Sequence, residues 1–168
     1  MLREYTVPKP ARVQGYPAHR IVMGLTNGKP AVFADAGDSL LIRTQVAIEE
    51  PSSEVHSYVE GDVLAFTLRA SCSKKVKGKH RYFHKSDWRA RHDWLDRKAA
   101  SKGFEVLTVH SRSDIATIDN AQGRRFTIDQ TDFTGVLKVT NPNEFQQALE
   151  CGVGSNSKTF GFGFLILS

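Results

Sequence analysis

The C-terminal end of this chain is its most constrained stretch, because glycine is concentrated there around one lysine. Gly152, Gly154, Gly161 and Gly163 fall within twelve positions around Lys158, and an apolar segment follows to residue 167. Glycine loses more backbone entropy on folding than any other residue, so such a cluster needs a reason, such as positive φ angles or close approach of another backbone. A glycine loop that carries a lysine can also cradle phosphates.

The spacing of this loop does not fit two nucleotide-binding motifs. The P-loop requires G-x-x-x-x-G-K-[ST], and the dinucleotide fingerprint requires G-x-G-x-x-G, in which Ser157 occupies the position of the third glycine. Both motifs follow a strand and open a helix, whereas this loop is predicted to follow a helix and open a strand. We therefore predict no nucleotide cofactor. A simple helix C-cap with an exposed lysine remains the structural alternative.

Positive charge is concentrated in one stretch of the 168 residues. Between Lys74 and Lys102 lie eleven Lys and Arg residues against three Asp, a net charge of +8; the whole chain carries +5, so the remainder carries −3. This distribution predicts a polyanionic partner, RNA or DNA, held through phosphate contacts. A solvated charged face is the alternative from charge alone.

Composition excludes several other classes of protein. With 40% hydrophobic and 24% charged residues, the chain is typical of a globular protein. No apolar run approaches the roughly 18 residues of a membrane span, and the first five residues contain no apolar signal core, so we expect a cytoplasmic protein without a membrane partner. Cys72 and Cys151 are far apart and are predicted to be free thiols.

Residues 1–70 are predicted to form a first ferredoxin-like unit. The pattern indicates strand, helix, strand, strand, a polar segment that is a short helix or a loop, and strand. The helix begins at Tyr16-Pro17 and ends at Asn27-Gly28. The predicted segments are strands at 2–7, 31–34, 39–46 and 62–70, and the polar segment at 49–60.

Residues 71–168 are predicted to form a second unit, which makes the fold class α+β with two tandem ferredoxin-like (RRM-like) βαββαβ domains. A basic loop or hairpin around Gly78 comes first, followed by a helix that Ser86 caps and Gly103 ends. Trp88, His92, Leu95 and Ala99 share one stripe of this helix and are expected to face a core. The remaining segments are strands at 104–110, 115–119, 124–129 and 133–140, a helix at 141–149, and a final strand. In that strand the alternating residues Phe160, Phe162 and Phe164 are expected to be core.

Three stretches resemble the CasE-type CRISPR endoribonucleases of the RAMP superfamily, found in type I-E Cascade or related type IV systems. The first is Gly135–Thr140 through the glycine loop, which is similar to the family's G-[IV]-G-x-x-K-x-x-G-x-G-L-L pattern, with one extra residue before the lysine. The second is Phe66–Ala70, similar to F-R-L-R-A-x-P, although Ser71-Cys72 replaces the usual Asn-Pro. The third is Tyr16–His19, which matches Y-x-x-H.

The resemblance implies cleavage of precursor CRISPR RNA by its own 2′-OH, leaving a 2′,3′-cyclic phosphate and a 5′-OH end. It also implies that the protein stays bound to its product within an effector complex. Tyr16 and His19, at spacing i, i+3, share one face of the first helical turn. We expect His19 to be the general acid or base, since its pKa lies near neutrality, and Tyr16 to orient the phosphate.

We expect the RNA repeat hairpin to be held by the glycine loop and the basic segment. Such contacts read mainly the backbone and shape of an A-form stem. The predicted contact residues are Gly152, Gly154, Ser155, Lys158, Lys74, Lys75, Lys77, Lys79 and Arg81, with Arg69, Arg91 and Lys98 as second-rank candidates.

Several alternatives remain at this point. Cys72, His80 and His84 suggest a zinc site, but no fourth ligand has a suitable spacing, so no metal is predicted. No carboxylate cluster resembles a two-metal nuclease, which favours metal-independent cleavage. The same fold and charge can instead hold an RNA hairpin without cutting it, or present a basic face to a protein partner.

Overall fold

The computed structural model describes residues 1–119, 122–154 and 158–168. These residues form two four-stranded antiparallel sheets, one small hairpin and three α-helices. In chain order the elements are β1 (Arg3–Pro8), α1 (Tyr16–Leu25), β2 (Ala31–Asp35), β3 (Ser39–Thr44), β4 (Ser52–Glu54), β5 (Val63–Ala70), β6 (Ser73–Val76), β7 (Lys79–Tyr82), α2 (Trp88–Ser101), β8 (Phe104–Asp119), β9 (Arg125–Val139), α3 (Pro142–Cys151), a 3-10 helix (Lys158–Phe160) and β10 (Leu165–Leu167).

The first sheet has the strand order β2-β3-β1-β4, which is that of a ferredoxin-like unit. Helix α1 covers one face of this sheet, because its apolar stripe contains Ala18 and Val22, both buried. Residues 45–51 connect β3 to β4 without a helix, so the polar segment 49–60 is a loop that contains the short strand β4. The buried partners of α1 on the sheet are Tyr5, Val7, Phe33, Leu40 and Ile42.

The second sheet has the strand order β10-β5-β9-β8 and contains a strand that we predicted for the first unit. Strand β5 pairs with β9 along its whole length and with β10, and its inward side chains Phe66 and Leu68 join the larger core. The three-residue strand β4 occupies the fourth position of the first sheet instead. The division between the two sheets therefore falls between β4 and β5, not at residue 70.

Strands β8 and β9 form one long hairpin where the sequence suggested four short strands. Their pairing runs from Phe104↔Val139 to Asp119↔Arg125, with a bulge between Val106 and Thr108. Gly135 pairs with Val109, just past this bulge, and a Cβ on residue 135 would lie 2.0 Å from the Thr108 carbonyl oxygen. Because glycine has no side chain, the two long strands stay paired past the irregularity.

Helix α2 differs from the sequence pattern in two details. Helix α2 is capped by Asp87, whose carboxylate accepts a hydrogen bond from the Ala90 N–H, rather than by Ser86. Its buried stripe is Arg91, Trp94, Leu95 and Ala99, so the prediction that Trp88 faces the core was wrong: Trp88 is 54% exposed. Helix α2 is the longest described helix, and none in the described part of the chain could span a membrane.

Arg43 joins the two sheets. This buried side chain donates from Nε to Glu4 Oε2 at 2.8 Å in the first sheet, and from Nη2 to the Leu165 carbonyl at 2.7 Å in the second. Its guanidinium also lies 4.0 Å from the centre of the Phe164 ring. Burial lowers the pKa of Arg43, and the Glu4 carboxylate opposes that shift. Because these contacts span both sheets, they fix the first sheet, which α1 covers, in position relative to the C-terminal strand.

Candidate RNA interface and catalytic site

The first turn of α1 brings Tyr16 and His19 together, as their spacing predicted. Gly15 precedes the helix with φ at 66°, and its carbonyl accepts the His19 backbone N–H at 3.1 Å. Pro17 suits the first turn because its fixed φ is helical and its missing N–H would have no intrahelical partner there. The Tyr16 and His19 rings lie 5.6 Å apart, and both side chains are half-buried.

The imidazole of His19 rests on the first sheet. It stacks on the Phe33 ring at 6.4 Å, with 30° between the ring planes. Burial lowers the pKa of His19 below its ordinary value of 6.5, because the charged form loses hydration. His19 is therefore mainly neutral at pH 7, which is the form that can accept a proton.

The glycine loop also reaches the Phe33 side chain. Gly161 has φ at 87°, and a Cβ on it would lie 3.0 Å from Cε2 of Phe33. The 3-10 helix Lys158–Phe160 contacts α1. Phe33 therefore lies beside both the His19 ring and Gly161. The structure thus brings the Y-x-x-H turn and the glycine loop into one region.

The glycine loop is a set of close backbone contacts. Gly152, Gly154 and Gly163 have φ between 84° and 89°, where a side chain would be strained. The Val153 N–H donates to the Gly163 carbonyl at 2.8 Å, and the Gly163 N–H donates to the Arg69 carbonyl at 2.7 Å. These contacts explain the four glycines through backbone geometry. Ser155, which we also predicted here, lies outside the described residues.

Lys158 is half-buried against these glycines. Positions for a Cβ on Gly152 and on Gly163 lie 3.4 Å from its Cε and 3.5 Å from its Cγ, respectively. Burial lowers the pKa of Lys158, and the positive charges of Lys102 and Lys98 lower it further. Lys98 also lies 5.7 Å from the Trp94 ring centre. Three lysines from two elements therefore share one electropositive region beside the glycine loop, including Lys102, which sequence reasoning did not assign to the site.

The basic segment forms the hairpin β6–β7, which carries five of the predicted RNA contacts. Its turn residues Lys77 and Gly78 both have positive φ, at 50° and 77°, as a two-residue type I′ turn requires. Lys74 lies directly opposite Arg81. Like charges that face each other destabilise a strand pair. This arrangement therefore costs stability and favours the binding of an anionic partner. All five predicted residues here are exposed: Lys74, Lys75, Lys77, Lys79 and Arg81.

The structure corrects the prediction for Arg91, which is only 1% exposed. Its Nη2 donates to Asp129 Oδ1 at 2.7 Å and its Nε to Thr131 Oγ1 at 3.1 Å. Nη1 and Nη2 also donate to the carbonyls of His84 at 2.7 Å and Phe83 at 3.3 Å. With its donors occupied in the interior, Arg91 cannot reach RNA.

The Arg91–Asp129 pair instead fixes both ends of the basic hairpin. Phe83 and His84 follow β7, and Arg91 holds their carbonyls. Cys72 precedes β6, and its backbone N–H donates to Asp129 Oδ2 at 3.0 Å. One buried ion pair therefore sets where the exposed lysines project.

Arg69 stays at the surface but has a carboxylate partner. It donates from Nε and Nη2 to the two oxygens of Asp132, at 2.7 and 3.0 Å, and this hydrogen bonding raises its pKa. Arg69 lines a cavity of about 630 Å³ that begins at Gly15 and Pro17, beside the Y-x-x-H turn. Arg12 and Gln14 also line it; sequence reasoning missed them because the connector before α1 has no motif.

The residues of the alternative zinc site do not converge. Cys72 is buried, and burial together with the nearby Asp129 charge raises the pKa of its thiol to about 12. His80 and His84 are exposed, and each has its own serine partner, Ser73 at 3.0 Å and Ser86 at 2.7 Å. Within residues 1–119, 122–154 and 158–168, no group of three or more His, Cys, Asp or Glu is arranged to hold a metal ion.

The chain is similar in sequence and in fold to CRISPR-associated proteins. The model of the CRISPR-associated protein family matches residues 11–168, and the chain belongs to this family. No curated protein sequence matches it.

Solved structures of this family resemble the chain over its full length. Cse3 of Thermus thermophilus, bound to an RNA that represents a pre-cleavage complex, has a TM-score of 0.80 at 19% identity over 99% of this chain and 98% of the other. Cas6e of Escherichia coli K-12 has a TM-score of 0.73 at 20% identity, over 100% and 99%. A subunit of a CRISPR RNA-guided surveillance complex gives 0.78 at 15% identity, over 99% and 98%. The predicted tandem ferredoxin-like fold is thereby confirmed.

Proposed function

We propose that this protein is an endoribonuclease that binds the repeat stem-loop of precursor CRISPR RNA and cleaves it through the RNA's own 2′-OH. One observation carries the proposal: Phe33 is in contact with both the His19 imidazole and Gly161 of the lysine-bearing loop. A proton-transfer group and a phosphate-binding group thus lie in one region. The chain's similarity to Cse3, which has been solved with RNA, supports this assignment.

The chemistry assigned to His19 follows from its neutral state. With its pKa below the ordinary value, the imidazole is ready to accept the 2′-OH proton, and the 2′-oxygen then attacks the adjacent phosphorus. The leaving 5′-oxygen takes a proton from solvent, His19 returns to solvent the proton it accepted, and the products carry a 2′,3′-cyclic phosphate and a 5′-OH. Tyr16, 5.6 Å from His19, orients the phosphate.

Lys158 supplies positive potential for the phosphate, because the loop's backbone is buried and bonded within the protein. Lys158 lies with Lys98 and Lys102 in one electropositive region, which favours the extra negative charge of the pentavalent transition state. The exposed hairpin β6–β7 contacts the RNA stem, whose deep and narrow major groove presents mainly phosphates. After cleavage the protein stays on the RNA as part of an effector complex, as the similarity to a surveillance-complex subunit suggests.

The test uses the repeat RNA encoded beside the gene, with the full-length protein. His19→Ala is expected to slow cleavage by about 10²- to 10⁴-fold while RNA affinity changes little, because general acid–base catalysis is lost. The matched control is His56→Ala, an exposed histidine outside the site. In the wild type the cleavage rate should fall with decreasing pH through a pKa below 6.5.

Two substrate controls separate cutting from binding. Cleavage should persist in EDTA and stop when the nucleotide at the cut site carries 2′-deoxyribose. Undiminished cleavage by His19→Ala would reject the assigned residue. Tight binding of the repeat RNA without any cleavage by the wild type would identify a non-catalytic RNA-binding subunit instead.

A further inference from the structure

Trp88 is an exposed aromatic side chain that the proposed cleavage chemistry does not use. The chain has two tryptophans, of which Trp94 is 5% exposed and Trp88 is 54% exposed. Tryptophan has a large apolar surface, and leaving it in water on the first turn of α2 is unfavourable without a partner. Trp88 is therefore a candidate contact site.

The indole of Trp88 packs against the His92 ring. The His92 ring lies 5.2 Å from it in an edge-on arrangement. His92 is itself fixed, since its Nε2 hydrogen-bonds with Ser111 Oγ at 2.9 Å and its ring lies 6.4 Å from Phe133 in the core. A side chain that is already ordered loses little entropy when a ligand stacks on it.

The surroundings of Trp88 are positively charged. The Arg89 guanidinium lies 5.2 Å from the Trp88 ring centre. Arg91, one turn further along α2, bonds the carbonyls of Phe83 and His84, so the base of the basic hairpin lies against the start of this helix. Lys85, between hairpin and helix, is exposed as well. Trp88 therefore adjoins the base of the basic hairpin, in a region that also carries Lys85 and Arg89.

We propose that Trp88 is a stacking platform for an unpaired RNA base that adjoins the stem held by hairpin β6–β7. This inference rests on the RNA binding proposed above. Stacking on an aromatic ring needs a base with a free face, which paired bases inside a stem lack, so the partner is a nucleotide of the loop or of a single-stranded flank. Arg89 supplies charge for the neighbouring phosphate. The excess of positive charge favours RNA over an apolar protein partner at this surface.

The experiment uses intrinsic fluorescence and three RNAs with the same stem. The first has the loop and single-stranded flanks, the second has the loop without flanks, and the third is a blunt duplex. The Trp88→Phe variant retains a ring for stacking and leaves only buried Trp94 to emit. We expect RNA with unpaired bases to quench the wild type and not Trp88→Phe. The difference between the first two RNAs assigns the base to the flank or the loop.

Affinity gives an independent readout. Trp88→Ala should bind the RNA that has the stacked base about tenfold more weakly. Trp88→Phe should stay within about threefold of the wild type, and the blunt duplex should not discriminate among the proteins. Val59→Ala, another exposed apolar residue, is the control and should bind like the wild type.

The outcomes separate this inference from the proposed function. Cleavage with unchanged Trp88 emission and unchanged Trp88→Ala affinity would overturn the stacking role alone and leave Trp88 as a protein-facing residue. An equal loss for all three RNAs would also overturn it, since stacking needs an unpaired base. Failure of the wild type to bind any of the RNAs would overturn both proposals.

Discussion

The basic hairpin and the glycine loop of the second unit are both proposed to meet phosphates, yet they are built in opposite ways. Hairpin β6–β7 exposes nearly every residue. The glycine loop buries its backbone, because Gly152, Gly154, Gly161 and Gly163 are all buried. The hairpin offers long charged side chains, whereas the loop offers a single half-buried lysine, Lys158.

The difference lies in what each region needs from the rest of the molecule. The hairpin needs an anchor, because an isolated two-stranded hairpin is marginal in water and this one places Lys74 opposite Arg81. Its anchor is the buried Arg91–Asp129 pair. The loop needs space, because the positive φ angles and short backbone contacts exclude a Cβ. The hairpin should therefore tolerate substitutions on its own strands and be sensitive at its anchor, while the loop should be sensitive at each glycine.

The largest effect is expected from breaking the anchor. Arg91→Leu leaves the buried Asp129 carboxylate without its cation and should lower the free energy of unfolding by about 3–5 kcal/mol. The measurement is the urea unfolding midpoint. The matched control is Arg69→Leu, which removes the equally short ion pair between Arg69 and Asp132. In that pair the two side chains are 45% and 42% exposed. That change should lower the free energy by no more than about 1 kcal/mol. Equal losses of unfolding free energy in the two variants would show that burial does not determine how much an ion pair contributes to stability.

A smaller effect is expected from adding one methyl group to the loop. Gly163→Ala places a Cβ at a φ of 89° and 2.9 Å from the Val153 carbonyl oxygen, and should destabilise the protein by about 2–3 kcal/mol. Gly37→Ala is the control, since its φ is 92° but no described atom lies within 4 Å of the added group. It should lower the free energy of unfolding by about 1–2 kcal/mol, the strain alone. Thermal unfolding of both variants gives the difference, and a Gly163→Ala protein no less stable than Gly37→Ala would contradict the close-contact account.

Local features of both regions could be predicted from the sequence. The glycine cluster predicted positive φ or close backbone approach, and the structure shows both at Gly163. The Lys77-Gly78 pair predicted the turn of the basic hairpin. The spacing of Tyr16 and His19 predicted their shared face. For the hairpin turn and for Tyr16 and His19 the controlling interactions lie within a few residues along the chain.

Features that depend on distant partners were not predictable in this way. Arg91 counted as one more surface charge, because its burial depends on Asp129, 38 positions further along. Trp88 is exposed although its spacing places it on the predicted core stripe, and it is the first residue of α2. Strand β5 has a normal alternating pattern, and only its pairing with β9 and β10 reveals which sheet contains it. The residue pattern of a helix or strand defines its buried face and its period. It does not define which strand or charge from elsewhere in the chain lies opposite.

The smallest effect on stability, and the one that most sharply separates the hairpin from the loop, is expected from Lys74→Gln. This exposed lysine faces Arg81, so its removal relieves a like-charge pair and should change the free energy of unfolding by less than about 0.5 kcal/mol. RNA affinity should weaken, and the slope of log K against log salt should become shallower by about 0.7–0.9 for one lost phosphate contact.

The control is Lys29→Gln, at an exposed lysine in the first unit, which should change neither the stability nor the salt slope. Filter binding between 50 and 200 mM salt, about the range over which counterion release dominates, measures the slope. An unchanged slope for Lys74→Gln would mean that the hairpin lysines are solvated charges, and the glycine loop would then have to supply the RNA contacts without them.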